Sequence, residues 1–191
     1  MTDPSPRQAQ KTSRLSELEA VVLGLVWAQG PCTAYAVRLT VRQSLSTQWS
    51  GSAGAVYPAV ARLEERGLIR SRAQATGKRQ SLALEPTAKG RRALAAWLGP
   101  PIDPSIFGVP ADPLRVRIRF LELLPEEERS AFLAEAIRAI EADMERVAVD
   151  VRARTREGDP YRVAMARGAL HATRARLRTL RELRDSLDSG R

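Results

Sequence analysis

Histidine and cysteine are almost missing from this chain, which holds one of each, His171 and Cys32. A lone cysteine excludes an intramolecular disulfide and any cysteine-cluster metal site. Cys32 follows Gly30 and Pro31 at a helix entrance, where a small thiol packs as an inert hydrophobe. His171 sits in ALHATRAR with no nucleophile beside it and reads as a surface or interface residue. Gly51 and Gly54 lead into a helix without the third glycine or the Lys-Ser/Thr pair of a phosphate loop. No catalytic residue, metal site or cofactor is therefore expected. Apolar runs of about 18 residues are also lacking, which argues against a membrane span. The polar head MTDPSPRQAQKTSR does not have the apolar core of a signal peptide, so a cytoplasmic protein without a membrane partner is expected.

What is present is apolar residue and positive charge. A hydrophobic content of 43% in 191 residues suffices for a packed core in one domain or two small ones. Lys and Arg number 31 against 22 Asp and Glu, a net +9 that favours a polyanionic partner through long-range attraction and counterion release. Arginine-rich chains also run basic without binding anything, so charge alone does not decide the partner.

Residues 1–14 read as a flexible basic arm. Order begins at Ser16, which with Glu19 fits a capping box, Leu15 serving as a hydrophobic staple. Leu18, Val21, Val22, Leu25 and Val26 recur at helical spacing in the first helix, which Gln29-Gly30-Pro31 stops. Thr33 caps a second helix with Tyr35, Val37, Val41 and Leu45 as its apolar contacts, Arg38 and Arg42 lining another side. A third helix enters at Ser50 or Ser52 and closes at Gly67. Val56, Val60 and Leu63 face its core side, leaving Gly51, Gly54, Pro58, Ala61, Arg62 and Glu65 pointing away. Short strands follow at 68–72 and 81–84, joined by Thr76-Gly77-Lys78-Arg79 as a cationic hairpin tip. Pro86-Thr87 opens a fourth helix to Leu98.

The proline- and glycine-dense segment 99–112 is the expected linker. Asp112-Pro113, Leu124-Pro125 and Asp159-Pro160 then parse 113–187 into three helices, each with Pro at its first position. Leu133, Ile137, Ile140, Met144, Val147 and Val151 follow one another at spacings of four and three, a heptad seam. The last helix continues with Leu170, Leu177 and Leu180. The two stripes either satisfy each other as an intramolecular hairpin or join two chains. Dimerisation is the expectation, because a narrow stripe on a long helix buries little alone.

Three helices and a basic hairpin spell a winged helix-turn-helix, followed here by a helical dimerisation domain; the fold class is mainly α. The winged helix spans 15–98. In that architecture the third helix enters the major groove and the wing meets the backbone. Gly51, Gly54 and Ala61 permit close approach, with Ala53 among them as a DNA-binding candidate, while Ser50, Ser52 and Tyr57, with Pro58 beside them, offer hydroxyls to phosphate. Arg62 is placed to reach a phosphate or guanine edge, and Lys78 and Arg79 to touch the backbone from the wing. Trp27, Trp49 and Trp97 are candidates for the wall of an effector pocket, although tryptophans more often belong to a core.

LSELEAVVLGLV (15–26), GPCTAYAV (30–37) and above all AVYPAVARLEERGLI (55–69) resemble the PadR-like transcriptional regulators, and PTAKGRRALAAWL (86–98) is similar to the segment after their wing. DPYRVAMARGALHATRARL (159–177) resembles the longer-tailed, Vir-like branch, in which C-terminal helices mediate dimerisation. The resemblance implies a homodimeric, usually repressing regulator that binds a roughly palindromic double-stranded operator and responds to a small hydrophobic or aromatic effector. It also implies DNA contacts at Tyr57 and the start of the third helix. Ala34 stands where many members carry glycine, and the second wing strand lacks their usual tyrosine. The alternative is a winged-helix adaptor that docks a protein and does not bind DNA.

Overall fold

The computed structural model describes residues 14–44, 46–76 and 79–189. The expected arm, apart from Arg14, and the expected roles of Leu45 and Lys78 lie outside the described residues. Two compact units divide at Gly108/Val109.

In the first unit, α1 (Glu17–Gln29) opens on a complete capping box. The Ser16 hydroxyl accepts from the Glu19 amide at 3.3 Å, and the Glu19 carboxylate accepts from the Ser16 amide at 3.1 Å. The apolar face is broader than the expected stripe: Ala20 and Leu23 are buried with Val22 and Val26, while Leu18, Val21 and Leu25 are half-buried. The cause is tertiary, since α2, α4, α5 and β2 all pack on this helix. Thr33 caps α2 (Ala34–Arg42), accepting from the Ala36 amide at 3.1 Å. Val37 and Val41 enter the core, but Tyr35 is exposed.

The stretch expected as one helix is three pieces: α3 (Thr47–Gly51), a 3-10 turn (Ala53–Ala55) and α4 (Val56–Glu65). Glycine is costly inside a helix, and two of them here interrupt it. Neither Ser50 nor Ser52 caps α4, whose N-cap is Ala55 with no side-chain bond. Ser52 donates instead to the Gln48 carbonyl at 2.7 Å, at the close of α3. Pro58 lies in the first turn of α4, where no amide has an intrahelical acceptor to lose. Gly67, at φ 65°, ends the helix in a Schellman arrangement: its amide donates to Glu64 and that of Leu68 to Leu63, both at 2.8 Å.

The wing is longer than expected. β1 (Ile69–Thr76) and β2 (Arg79–Pro86) pair antiparallel from Ile69↔Pro86 to Thr76↔Arg79. Cys32 adds a short antiparallel bridge, exchanging backbone bonds with Leu84, and its partly buried side chain packs on the core. Burial pushes its thiol pKa up, in keeping with an inert role. Thr87 caps α5 (Ala88–Leu98) and donates to the Gly67 carbonyl at 2.8 Å. Gly90 lets α5 lie against the chain leaving α4, for a Cβ there would fall 1.9 Å from the Leu68 carbonyl oxygen.

In the second unit, Asp112 caps α6 (Pro113–Arg119), whose first residue is proline. The long helices α7 (Glu126–Glu157) and α8 (Pro160–Ser189) flank Gly158, which turns the chain at φ 78°. Asp159 accepts from the amides of Tyr161 and Arg162 and caps α8. The expected dimerisation seam is used inside the chain. Leu133, Ile137 and Val147 of α7 and Leu170, Leu177 and Leu180 of α8 are buried, with Ile140, Met144 and Val151 half-buried. An adjacent helix on a tight turn satisfies a heptad stripe at far lower entropic cost than a second molecule. The intramolecular hairpin, the alternative reading of these stripes, is therefore the observed one.

Candidate nucleic-acid interface

Helix α4 divides its side chains sharply. Val56, Ala59, Val60 and Leu63 are buried, fixing the helix to α1 and α2, whereas Tyr57, Pro58 and Ala61 face outward. Tyr57 is 48% exposed. Gly51 and Gly54, just upstream, are exposed as well. Together these five residues form a low surface with one aromatic hydroxyl, a shape that lets a backbone or groove wall come close.

Some expected contacts do not reach that surface. Ala53 is 6% exposed and belongs to the core, because the 3-10 turn points it inward. Ser50 and Ser52 are half-buried at the edge. Arg62 is half-exposed, but its Nε donates to the Glu19 carboxylate at 2.8 Å. Arg66 Nη1 donates to the other carboxylate oxygen at 2.9 Å. Glu19, 6% exposed, is thus shared by its own capping box and two guanidinium groups from α4. Burial alone would raise its pKa; the Arg62 hydrogen bond, the Ser16 amide and the Arg66 charge outweigh it and hold the carboxyl below the ordinary value.

The wing carries cations too. Arg70 and Arg72 of β1 lie 2.8 and 3.6 Å from the Glu85 carboxylate of β2, which accepts a hydrogen bond from Arg70 and is held below its ordinary pKa by it. Arg79 opens β2 next to the undescribed tip; only its backbone placement is established. The tryptophans stand on three elements: Trp49 of α3 packs partly into the core, while Trp27 of α1 and Trp97 of α5 are exposed. A cavity of about 230 Å³ lies in the second unit between α7 and α8, lined by Leu133, Arg129 and Arg184 among others, and none of the three tryptophans lines it. Among the described residues no group of His, Cys, Asp and Glu could hold a metal ion. None of their helices is long and apolar enough to cross a membrane.

Glu19, Arg66 and Glu85 are the site residues that sequence reasoning missed. Glu19 had already been explained by its cap, and no local pattern links position 19 to 62 or 66. Arg70 and Glu85, by contrast, become cross-strand partners as soon as the register is known.

The model of the Transcriptional regulator PadR-like family matches residues 22–96. This is a PadR-like regulator domain. Three solved structures show how far the likeness extends. Bacillus subtilis PadR in complex with operator DNA superposes with a TM-score of 0.74 at 19% identity, over 95% of this chain and 97% of that one. The PadR-like regulator BC1756 from Bacillus cereus gives 0.69 at 18% identity, over 98% and 99%. Bacillus subtilis PadR in complex with p-coumaric acid gives 0.68 at 19%, over 90% and 98%. No curated protein matches the chain. The matched residues lie within the winged helix described above, so that this part of the chain is a domain of the transcriptional-regulator type.

Proposed function

We propose that the protein is a homodimeric repressor, acting in the cytoplasm on a roughly palindromic operator, and that a small hydrophobic or aromatic effector relieves the repression. The outward surface made by Tyr57, Pro58 and Ala61 of α4 with Gly51 and Gly54 just upstream, all clear of the core, carries the reading. This face enters the major groove, Tyr57 donates to a phosphate oxygen, and Lys78 and Arg79 at the wing tip meet the flanking backbone. The likeness to a PadR bound to operator DNA supports the groove, and the likeness to one bound to p-coumaric acid supports the effector class.

Because the heptad residues are buried or half-buried within one chain, a second copy is met mainly by other side chains of the helical unit. Val116, Phe120, Leu123, Val149, Tyr161 and Met165 are among the large apolar groups it exposes.

The test is selection of bound genomic fragments by the full chain, followed by titration of the retained duplex. Affinity should fall by orders of magnitude between about 50 and 200 mM salt. Tyr57→Ala should weaken it by roughly tenfold or more, the worth of one hydrogen bond to a charged group. Failure to retain any duplex at low salt would return the protein to the adaptor reading, and salt-independent retention would remove phosphate from the interface.

A further inference from the structure

A capping box requires of Glu19 only that one carboxylate oxygen reach back to the Ser16 amide, a bond that an exposed side chain makes equally well. Here the carboxylate is buried, and each oxygen receives a guanidinium from α4: Oε1 from Arg62 at 2.8 Å and Oε2 from Arg66 at 2.9 Å. Arg62 stands one turn beyond Pro58, at the margin of the outward face. Unrestrained, such a side chain would sweep the phosphates of a docked duplex.

We infer that Glu19 is a positioning residue that withholds Arg62 and Arg66 from the DNA backbone, so that α4 engages its site through its small, aromatic face and gains less from charge. The inference rests on the DNA-binding reading above. Each arginine that neutralises a phosphate releases counterions and adds affinity that is blind to sequence. An arginine paired with a buried carboxylate does not, because leaving would strand that carboxylate without its partner. Restraint of two cations thus lowers binding to every duplex by a similar factor and leaves affinity at the operator resting more on the groove contacts of α4.

The experiment is the slope of log K against log salt for the full chain, on the retained operator fragment and on an unrelated duplex. Glu19→Gln, which keeps size and cap but loses the charge, should steepen the slope by about one to two units, at close to 0.9 per additional phosphate contact. Binding to the unrelated duplex and to the operator should tighten by a similar factor, because phosphate contacts are common to both. Arg62→Gln and Arg66→Gln in the wild-type background should leave the slope unchanged, and in the Glu19→Gln background each should lower it by about one. A purely structural role would change thermal stability without moving the slope. The inference is overturned if folded Glu19→Gln keeps the wild-type slope, or if Arg62→Gln alone reduces it by about one. Should Glu19→Gln not fold, the single arginine variants decide: an unchanged slope supports restraint and a reduced one refutes it. Wild-type protein that binds neither duplex defeats the DNA-binding reading itself, a result distinct from wild-type binding with an unmoved slope.

Discussion

In the first unit α1 is covered by α2, α4, α5 and β2; in the second, α7 and α8 lie against each other along one seam. The first arrangement draws short elements onto one centre, so each helix must be broad-faced, and a polar group caught inside needs its partners with it. Glu19 and its two arginines are that case. The second arrangement spreads a narrow stripe over helices of 32 and 30 residues and leaves ionic contacts on the flanks, such as Glu141 with Arg181, each half-exposed. A charge pair therefore means different things in the two places: within a converging core it fixes geometry, while along a hairpin it decorates a surface that apolar residues already hold together.

The largest expected effect tests that distinction. Glu19→Ala should cost about 3–5 kcal/mol in denaturant unfolding of the first unit, since it removes two charge-assisted hydrogen bonds and the capping bond together. Arg181→Ala should cost under about 1 kcal/mol. Comparable losses for the two would erase the contrast. The same carboxylate makes a pH prediction. Its folded pKa is depressed, so its stabilisation is complete above the unfolded value, near 4.5, and is lost as pH falls through the lower folded value. Wild-type protein should thus show acid weakening in the first unit's transition that Glu19→Gln lacks; identical acid profiles would show that the ion pairs contribute nothing.

Next in size, Leu180→Ala removes a fully buried side chain from the hairpin and should cost about 2–5 kcal/mol. The loss should be confined to the second unit's transition, with the near-UV signal of Trp27, Trp49 and Trp97 in the first unit unmoved. A concerted loss of both signals would mean that the units unfold as one. A smaller effect than that of Leu180→Ala belongs to Gly67→Ala, which forces a Cβ into the left-handed region at about 1–2 kcal/mol, with open space around it. Hydrogen exchange at the Leu68 amide, which closes the Schellman turn, should rise; unchanged exchange would show that the turn tolerates alanine freely.

Local chemistry made much of this fold legible. Ser16 with Glu19, Thr33, Thr87, Asp112 and Asp159 announce helix starts because a short polar side chain next to a periodic run has one main use, and each caps its helix here. Gly67 announces its turn for a similar reason, whereas the turn at Gly158 emerges only with the structure. The stretch from Ser46 to Ala55 was harder to read, since glycine, serine and alanine fit an entering helix as readily as two short turns, and only the inward packing of Ala53 distinguishes them. The site was legible in part: alternation of buried and exposed positions along α4 gives Tyr57, Pro58 and Ala61 directly, while the attachment of Arg62 to Glu19 spans 43 positions and leaves no local trace.

Periodicity, caps and turn residues, then, were enough to specify a winged helix followed by long amphipathic helices, because each depends on neighbours within a few positions along the chain. Which stripe meets which, and where a guanidinium finds its carboxylate, was decided only in three dimensions. A heptad seam is satisfied equally by its own chain or by another, and an arginine equally by phosphate or by glutamate. Proximity chooses between such partners, and proximity belongs to the folded structure.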